Sequence, residues 1–166
     1  FLQVSTDEVF GSLSDRGKFT ESSPIRPRNP YSASKASSDH LVNAFYTTYS
    51  LPIIISNCSN NFGPYQNLEK LIPKCIRNIF DDVPVNLYGD GANIRDWLYV
   101  EQHVKRLLTV LEYGRVGERY CIGSGMEISN LQLVNKLYEC VERHLEKSVQ
   151  RRIKFVTDRL GHDFRY

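Results

Sequence analysis

Three consecutive β-branched residues, Ile53-Ile54-Ile55, narrow the possible folds more than any other stretch of this chain. An apolar run without polar alternation suits a strand buried on both faces of a parallel sheet, and such sheets occur almost only where helices cover both sides. The run follows directly on a helical pattern that Leu51-Pro52 closes. Other short runs, at 1–5, 85–88, 118–123 and 153–156, alternate with helical periods, so the expected class is α/β. The spacing predicts helices over 30–49, 72–80, 101–113 and 130–145. Their predicted inward faces are Leu41, Ala44, Phe45 and Thr48, then Ile72, Cys75, Ile76 and Ile79. The later two are Val104, Leu107, Leu108 and Leu111, then Leu131, Val134, Leu137, Tyr138 and Val141.

Between these elements the polar stretches carry the chemistry. Residues 11–28 are turn-rich, with Pro24 and Pro27, and read as one long loop. The segment 57–64 reads as a polar loop at the end of the isoleucine strand, where open α/β sheets carry ligands. A turn pair is the lesser, structural reading of its Asn60-Asn61. Gly89-Asp90-Gly91 reads as a hairpin turn, 95–100 as an extended piece, and Asn130 as the cap of the last helix. A dinucleotide-binding fold opens with a strand, a glycine-rich turn and a helix whose N-terminus holds the pyrophosphate. The chain has no such turn, since Gly123-Ser124-Gly125 lacks the third glycine. The expectation is therefore the C-terminal part of a longer protein, with the glycine-rich half of the cofactor site absent.

Composition removes several classes. A length of 166 residues, 41 % hydrophobic and 24 % charged, suffices for one domain with a real core. A net charge of +2 with no run of five like charges makes no case for nucleic acid. Arg151-Arg152-Ile153-Lys154 reads as a solvated edge, and no apolar run approaches the length of a membrane span. The four cysteines lack C-x-x-C spacing and the four histidines make no metal box, so a metal-free cytoplasmic protein with reduced thiols is expected.

Asn29-Pro30-Tyr31-Ser32-Ala33-Ser34-Lys35 reads as the mouth of a helix, with Asn29 as cap and Pro30 at the first position. Tyr31 and Lys35 are four apart and share one helix face. A nearby ammonium favours the phenolate and lowers a tyrosine pKa, which would suit Tyr31 to take a proton from a sugar or alcohol hydroxyl. The same spacing fits an exposed Tyr–Lys pair on a surface helix. Asp7-Glu8 likewise reads either as two solvated loop carboxylates or as an acid and a base, one protonated and one ionised.

Several ordered blocks carry a family resemblance. They are Ser5-Thr6-Asp7-Glu8-Val9-Phe10-Gly11, the stretch from Asn29 through Lys35 to Leu41, and Asn57-Cys58-Ser59-Asn60-Asn61-Phe62-Gly63-Pro64-Tyr65. Glu69-Lys70-Leu71-Ile72-Pro73, Arg95-Asp96-Trp97-Leu98-Tyr99-Val100 and Asp158-Arg159-Leu160-Gly161-His162-Asp163 continue it. Together they resemble the dTDP-glucose 4,6-dehydratases, members of the extended short-chain dehydrogenase/reductases, over nearly the whole chain. The resemblance implies a Rossmann-type unit over 1–166 in which dinucleotide-binding and substrate-binding segments interleave. It implies NAD as cofactor, a dTDP-glucose-type nucleotide sugar as substrate, and a homodimer, formed partly through the Tyr31 helix, in the full-length protein.

The resemblance also implies roles. Tyr31 would take the hydroxyl proton at carbon 4 with Thr6 bonded to that oxygen, Glu8 the proton of carbon 5, and Asp7 would protonate the departing hydroxyl on carbon 6. Tyr31, Lys35 and Asn61 would meet the cofactor. Thr6, Asn60, Lys70, Leu71, Asn86, Leu87, Tyr88, Arg95, Asn130, Asp158, Arg159 and His162 would meet the substrate. Arg95 is the expected diphosphate partner because a guanidinium fork matches phosphate oxygens, the alternative being an ion pair with Asp96. Cys121 stands where the family usually has Asn, and Leu160 where it has Pro. The rival readings are a related NAD-dependent sugar-nucleotide epimerase or decarboxylase, and a catalytically silent nucleotide-sugar-binding fragment. The Asp7-Glu8 pair speaks against the epimerase.

Overall fold

The isoleucine run lands inside a parallel sheet. In the computed structural model, which describes residues 1–166, Ile53, Ile54 and Ile55 are all buried. Along the chain come β1 (Leu2–Thr6), a one-turn 3-10 helix (Asp7–Phe10), α1 (Pro30–Tyr49), β2 (Ile54–Cys58), β3 (Asn60–Phe62), α2 (Leu71–Phe80) and β4 (Val85–Tyr88). Then follow β5 (Ile94–Tyr99), α3 (Val100–Tyr113), β6 (Arg119–Ile122), β7 (Glu127–Ser129), α4 (Asn130–Leu145) and β8 (Ile153–Val156). The α/β expectation holds.

Three small sheets result. The first is parallel with order β1-β2-β6, and its register sets Thr6 beside Cys58 and Asn57 beside Cys121. The second, β3-β5-β7, pairs β3 parallel and β7 antiparallel to β5. The third is the parallel pair β4-β8. Against that pair pack α2 and α4, closing a core of Cys75, Ile79, Val85, Leu87, Val134, Tyr138 and Val141. Here the periodicity pointed the right way.

It pointed the wrong way on two helices. On α1, Leu41 and Phe45 are more than half exposed and Ala44 and Thr48 are also outside, whereas Ser32, Ala36 and Asp39 are buried. The reason is close approach. Small side chains let the helix lie near β1, where Gln3 donates to Ser38 Oγ at 2.8 Å. On α3, Val104, Leu108 and Leu111 are exposed and His103 is the buried residue, with only Leu107 of the expected face half-buried.

Three local expectations need correction. Ser129, not Asn130, caps α4 through a reciprocal box with Gln132, and Asn130 is the first helical residue. Gly89-Asp90-Gly91 does turn, both glycines holding positive φ, but it joins strands of different sheets and so makes no hairpin. Within 57–64, Asn57 and Cys58 belong to β2 and Asn60 to Phe62 form β3, so the ligand-side polar segment is largely strand.

Candidate active site

The site begins where β1 ends. Thr6 is its last residue, and the Thr6 hydroxyl accepts from Glu8 N at 3.3 Å, capping the 3-10 turn that carries Asp7 and Glu8. The same hydroxyl lies 3.4 Å from Asp7 Oδ1, to which it donates. Burial, and then the neighbouring Glu8 charge, hold the Asp7 carboxyl well above the usual carboxylate range. Asp7 therefore keeps its proton where an ordinary aspartate has lost it. Two adjacent carboxyls in different environments give one acid and one base.

α1 brings Tyr31 and Lys35 to this turn. Asn29 Oδ1 accepts from Ser32 N at 2.8 Å and Ser32 Oγ answers the Asn29 N–H, with Pro30 at the first helical position as expected. The tuning of the tyrosine is not as expected. Lys35 Nζ donates to the Val4 carbonyl at 2.9 Å. The Tyr31 hydroxyl is pushed up, by burial first and then by the charges of Glu8, Cys58 and Asp7. Lys35 is turned to the strand, and burial together with the neighbouring acidic groups sets the direction.

Cys58 joins the site although sequence reasoning left it among reduced thiols without a role. Its register with Thr6 was the missing signal. Burial and Asp7 push its thiol up to about 11, Asn61 Nδ2 donates to its sulfur at 3.4 Å, and the thiol donates to the Ser5 carbonyl. Asn61 Oδ1 is buried without a partner. Behind Asp7 lies a cavity of about 240 Å³ bordered by Asn57, Ser59, Asp96, Cys121 and Tyr166. Thr6, Asp7, Glu8, Tyr31, Lys35, Cys58 and Asn61 thus gather at the C-terminal ends of parallel strands, where open α/β sheets hold ligands.

A second cluster forms around β4 and the segment after β8. The Arg159 guanidinium lies 5.1 Å from the centre of the Tyr88 ring, and His162 meets that ring edge-on at 6.3 Å. His162 Nδ1 is 2.6 Å from Asp158 Oδ1. Burial lowers the His162 pKa more than Asp158 raises it. The remaining expected substrate residues are placed less uniformly. Lys70 and Asn86 are exposed, and the side chains of Asn60, Lys70 and Asn86 make no hydrogen bond. Asn130 keeps a buried, unpartnered Oδ1.

Three residues differ more sharply from expectation. The Leu87 side chain sits in the β4-β8 core, 1 % exposed, and Leu87 is paired with Phe155 in the strand ladder. Leu71, too, packs against that core. Arg95 is buried and its fork is committed to the carbonyls of Ile94, Asp163 and Phe164, with Tyr166 stacked 4.0 Å below. It makes no ion pair with Asp96. Instead Asp96 accepts from Ser124 N, Ser124 Oγ and Met126 N.

Comparison with known proteins follows the same lines. Residues 1–166 match the family model described as GDP-mannose 4,6 dehydratase. A dTDP-glucose 4,6-dehydratase of Xanthomonas campestris pv. campestris is 50 % identical over the full chain, which covers 48 % of that protein. The chain spans about half the length of the curated relatives it matches. Among solved structures, the dTDP-glucose 4,6-dehydratase of Streptomyces venezuelae with NAD and TYD bound superimposes with a TM-score of 0.91 at 45 % identity, over 99 % of this chain and 49 % of that one. A UDP-glucuronic acid 4-epimerase of Bacillus cereus, in complex with UDP-glucuronic acid and NAD, reaches 0.90 at 26 % identity, over 99 % of this chain and 51 % of that one.

Proposed function

The chain belongs to the GDP-mannose 4,6 dehydratase family, and from that premise we propose that the protein containing it is an NAD-dependent dTDP-glucose 4,6-dehydratase. The observation that carries the reading is the meeting of Asp7-Glu8 with Thr6 and Tyr31, Asp7 held protonated by burial and by its neighbour. Oxidation at carbon 4 alone needs only the tyrosine. Loss of water next to the new ketone needs, in addition, a base for carbon 5 and an acid for the carbon 6 hydroxyl.

The roles follow from placement. Tyr31 takes the proton of the carbon 4 hydroxyl while Thr6 bonds that oxygen. Glu8 removes the proton of carbon 5, made acidic by the ketone. Asp7 gives its proton to the carbon 6 hydroxyl, which leaves as water. NAD, when bound, supplies the acceptor for hydride from carbon 4 and its return to carbon 6. Tyr31, Lys35 and Asn61 would hold its nicotinamide end, and the orphaned Asn61 Oδ1 suits that task. The pyrophosphate end needs a glycine-rich turn that these 166 residues do not contain, so the isolated chain should be catalytically silent.

We assign the nucleotide to the second cluster, where Tyr88, Arg159 and His162 offer aromatic and cationic surface beside Arg95 and Asn130. Asn60, Lys70 and Asn86, with the main chain at Leu71, would complete that side. In this reading β1, β2 and β6 with α1 and α3 belong to the dinucleotide half, and β4 and β8 with α2 and α4 to the substrate half, the two interleaved along the chain. The exposed Leu41–Phe45–Tyr49 stripe of α1 supports a homodimer. Four free cysteines suit a reducing cytoplasm, and no helix is long and apolar enough to cross a membrane.

An epimerase of this fold would share the tyrosine but gain nothing from the acid–base pair. The experiment is to give the complete protein NAD and dTDP-glucose and identify the product by NMR. A 4-keto-6-deoxy sugar is expected. Recovery of only a carbon 4 epimer would overturn the assignment.

A further inference from the structure

Three side chains from three elements meet beneath the site, and the proposed chemistry uses none of them. Asp39 of α1 is fully buried. Arg119 of β6 donates through Nη1 to Asp39 Oδ2 at 2.9 Å and to Asn57 Oδ1. Asn57 of β2, 1 % exposed, passes the connection on, its amide donating to the Thr6 carbonyl at 2.9 Å and to Asp39 Oδ2 at 3.4 Å. The path therefore runs from the tyrosine helix to the strand end that carries Thr6, Asp7 and Glu8.

Stability is a poor explanation for this arrangement. A buried ion pair is often replaced by apolar side chains of similar volume without loss. Asp39 Oδ1, moreover, is buried with no partner, which costs stability. What the network does supply is geometry. The strands β1, β2 and β6 are already tied by their ladders, whereas α1 must be fixed against them from outside. A guanidinium and a carboxylate constrain both distance and direction. Asp39 lies eight residues beyond Tyr31 on an unbroken helix, about 12 Å along its axis, so fixing Asp39 fixes the tyrosine.

We propose that Arg119, Asp39 and Asn57 are positioning residues that hold the Tyr31 helix in register with the Thr6-Asp7-Glu8 turn. Tyr31 and Glu8 must reach neighbouring carbons of one sugar ring, and a displacement of either separates them. The proposal rests on the dehydratase reading above. It touches only the catalytic cluster, because the nucleotide cluster lies on other elements.

The test compares two double variants of the complete protein. Asp39→Leu with Arg119→Met removes both charges. Asp39→Asn with Arg119→Gln keeps a neutral hydrogen-bonded tie. The hydrophobic pair should fold with an unchanged circular dichroism spectrum and bind substrate with KM as in the wild type. Its kcat and its single-turnover NADH formation should fall by about 10- to 100-fold, the usual reach of a small misplacement of reacting groups. The amide pair should recover kcat to within about threefold of the wild type. Should the hydrophobic pair not fold, Asn57→Leu severs the tie to Thr6 with the ion pair left in place and carries the same expectation. A folded hydrophobic pair or Asn57→Leu protein with wild-type kcat would overturn the positioning role, as would an amide pair no faster than the hydrophobic one. A wild-type protein that forms no 4-keto-6-deoxy sugar would overturn the dehydratase reading, and the positioning role with it.

Discussion

Replacing Asp96 by Asn probes the turn that borders the cavity behind Asp7. In the wild type, three donors converge on one carboxylate: Ser124 N on Oδ2 at 2.6 Å, and Ser124 Oγ and Met126 N on Oδ1 at 2.5 and 2.8 Å. An amide offers one oxygen, so at least one main-chain N–H would face an NH₂ group. A buried donor left unsatisfied costs about 1–3 kcal/mol. At 1.36 kcal/mol per tenfold, amide exchange at Ser124 or Met126 should then quicken by about 5- to 160-fold in Asp96→Asn.

The acid side gives an independent reading. Burial would raise the Asp96 pKa, but the donors of Ser124 and Met126 outweigh it and hold it below the ordinary value. A depressed carboxylate pKa contributes stability that is complete above the unfolded value and is lost as pH falls through the folded one. Protection of the Ser124 and Met126 amides, corrected for intrinsic exchange, should therefore decline in acid in the wild type and not in the variant. Equal protection in both proteins, with the same acid dependence, would refute the reasoning.

Asp7→Asn and Glu8→Gln in the complete protein should fail at different steps. Glu8→Gln should stop exchange of the carbon 5 proton with deuterium oxide while oxidation at carbon 4 survives. Asp7→Asn should still exchange but lose water from carbon 6 more slowly by about 100-fold or more, measured by single-turnover mass spectrometry. Leu87→Ala should destabilise the β4-β8 core by about 2–5 kcal/mol in urea denaturation and leave KM unchanged, because its side chain is in the core and not at the ligand. His162 should titrate below 6.5 by NMR, because burial outweighs its bond to Asp158. The order of the loop it anchors is complete above the ordinary imidazole range and is lost as pH falls through the folded value. An imidazole that titrates above that value would contradict this.

Much was legible in the residues alone. The isoleucine run, the Asn29–Pro30 helix mouth and the alternation of strand and helix depend on local sterics, capping and periodicity, and all three stand in the structure. The ordered blocks carried the family, because spacing of whole motifs survives without coordinates. The faces of α1 and α3 did not follow from hydrophobicity. A helix that lies close to a strand buries Ser32, Ala36 and Asp39 because they are small or paired, and apolarity is then no guide to burial.

Other features depended on distant partners. Arg95 and Asp96 are neighbours in sequence, yet their side chains leave in opposite directions, one to the Asp163 and Phe164 carbonyls and the other to Ser124 and Met126. Leu87 looked like part of a ligand motif and packs in a core, since alternation along β4 sends every second side chain inward. Cys58 entered the site through a parallel register that no local pattern encodes. The sequence by itself determined which elements form and which chemical groups are available, because those depend on residues within a few positions of one another. Only the tertiary structure decided which carboxyl keeps its proton, where Lys35 points and what holds the tyrosine helix in place, because burial and charge act between residues far apart in the chain.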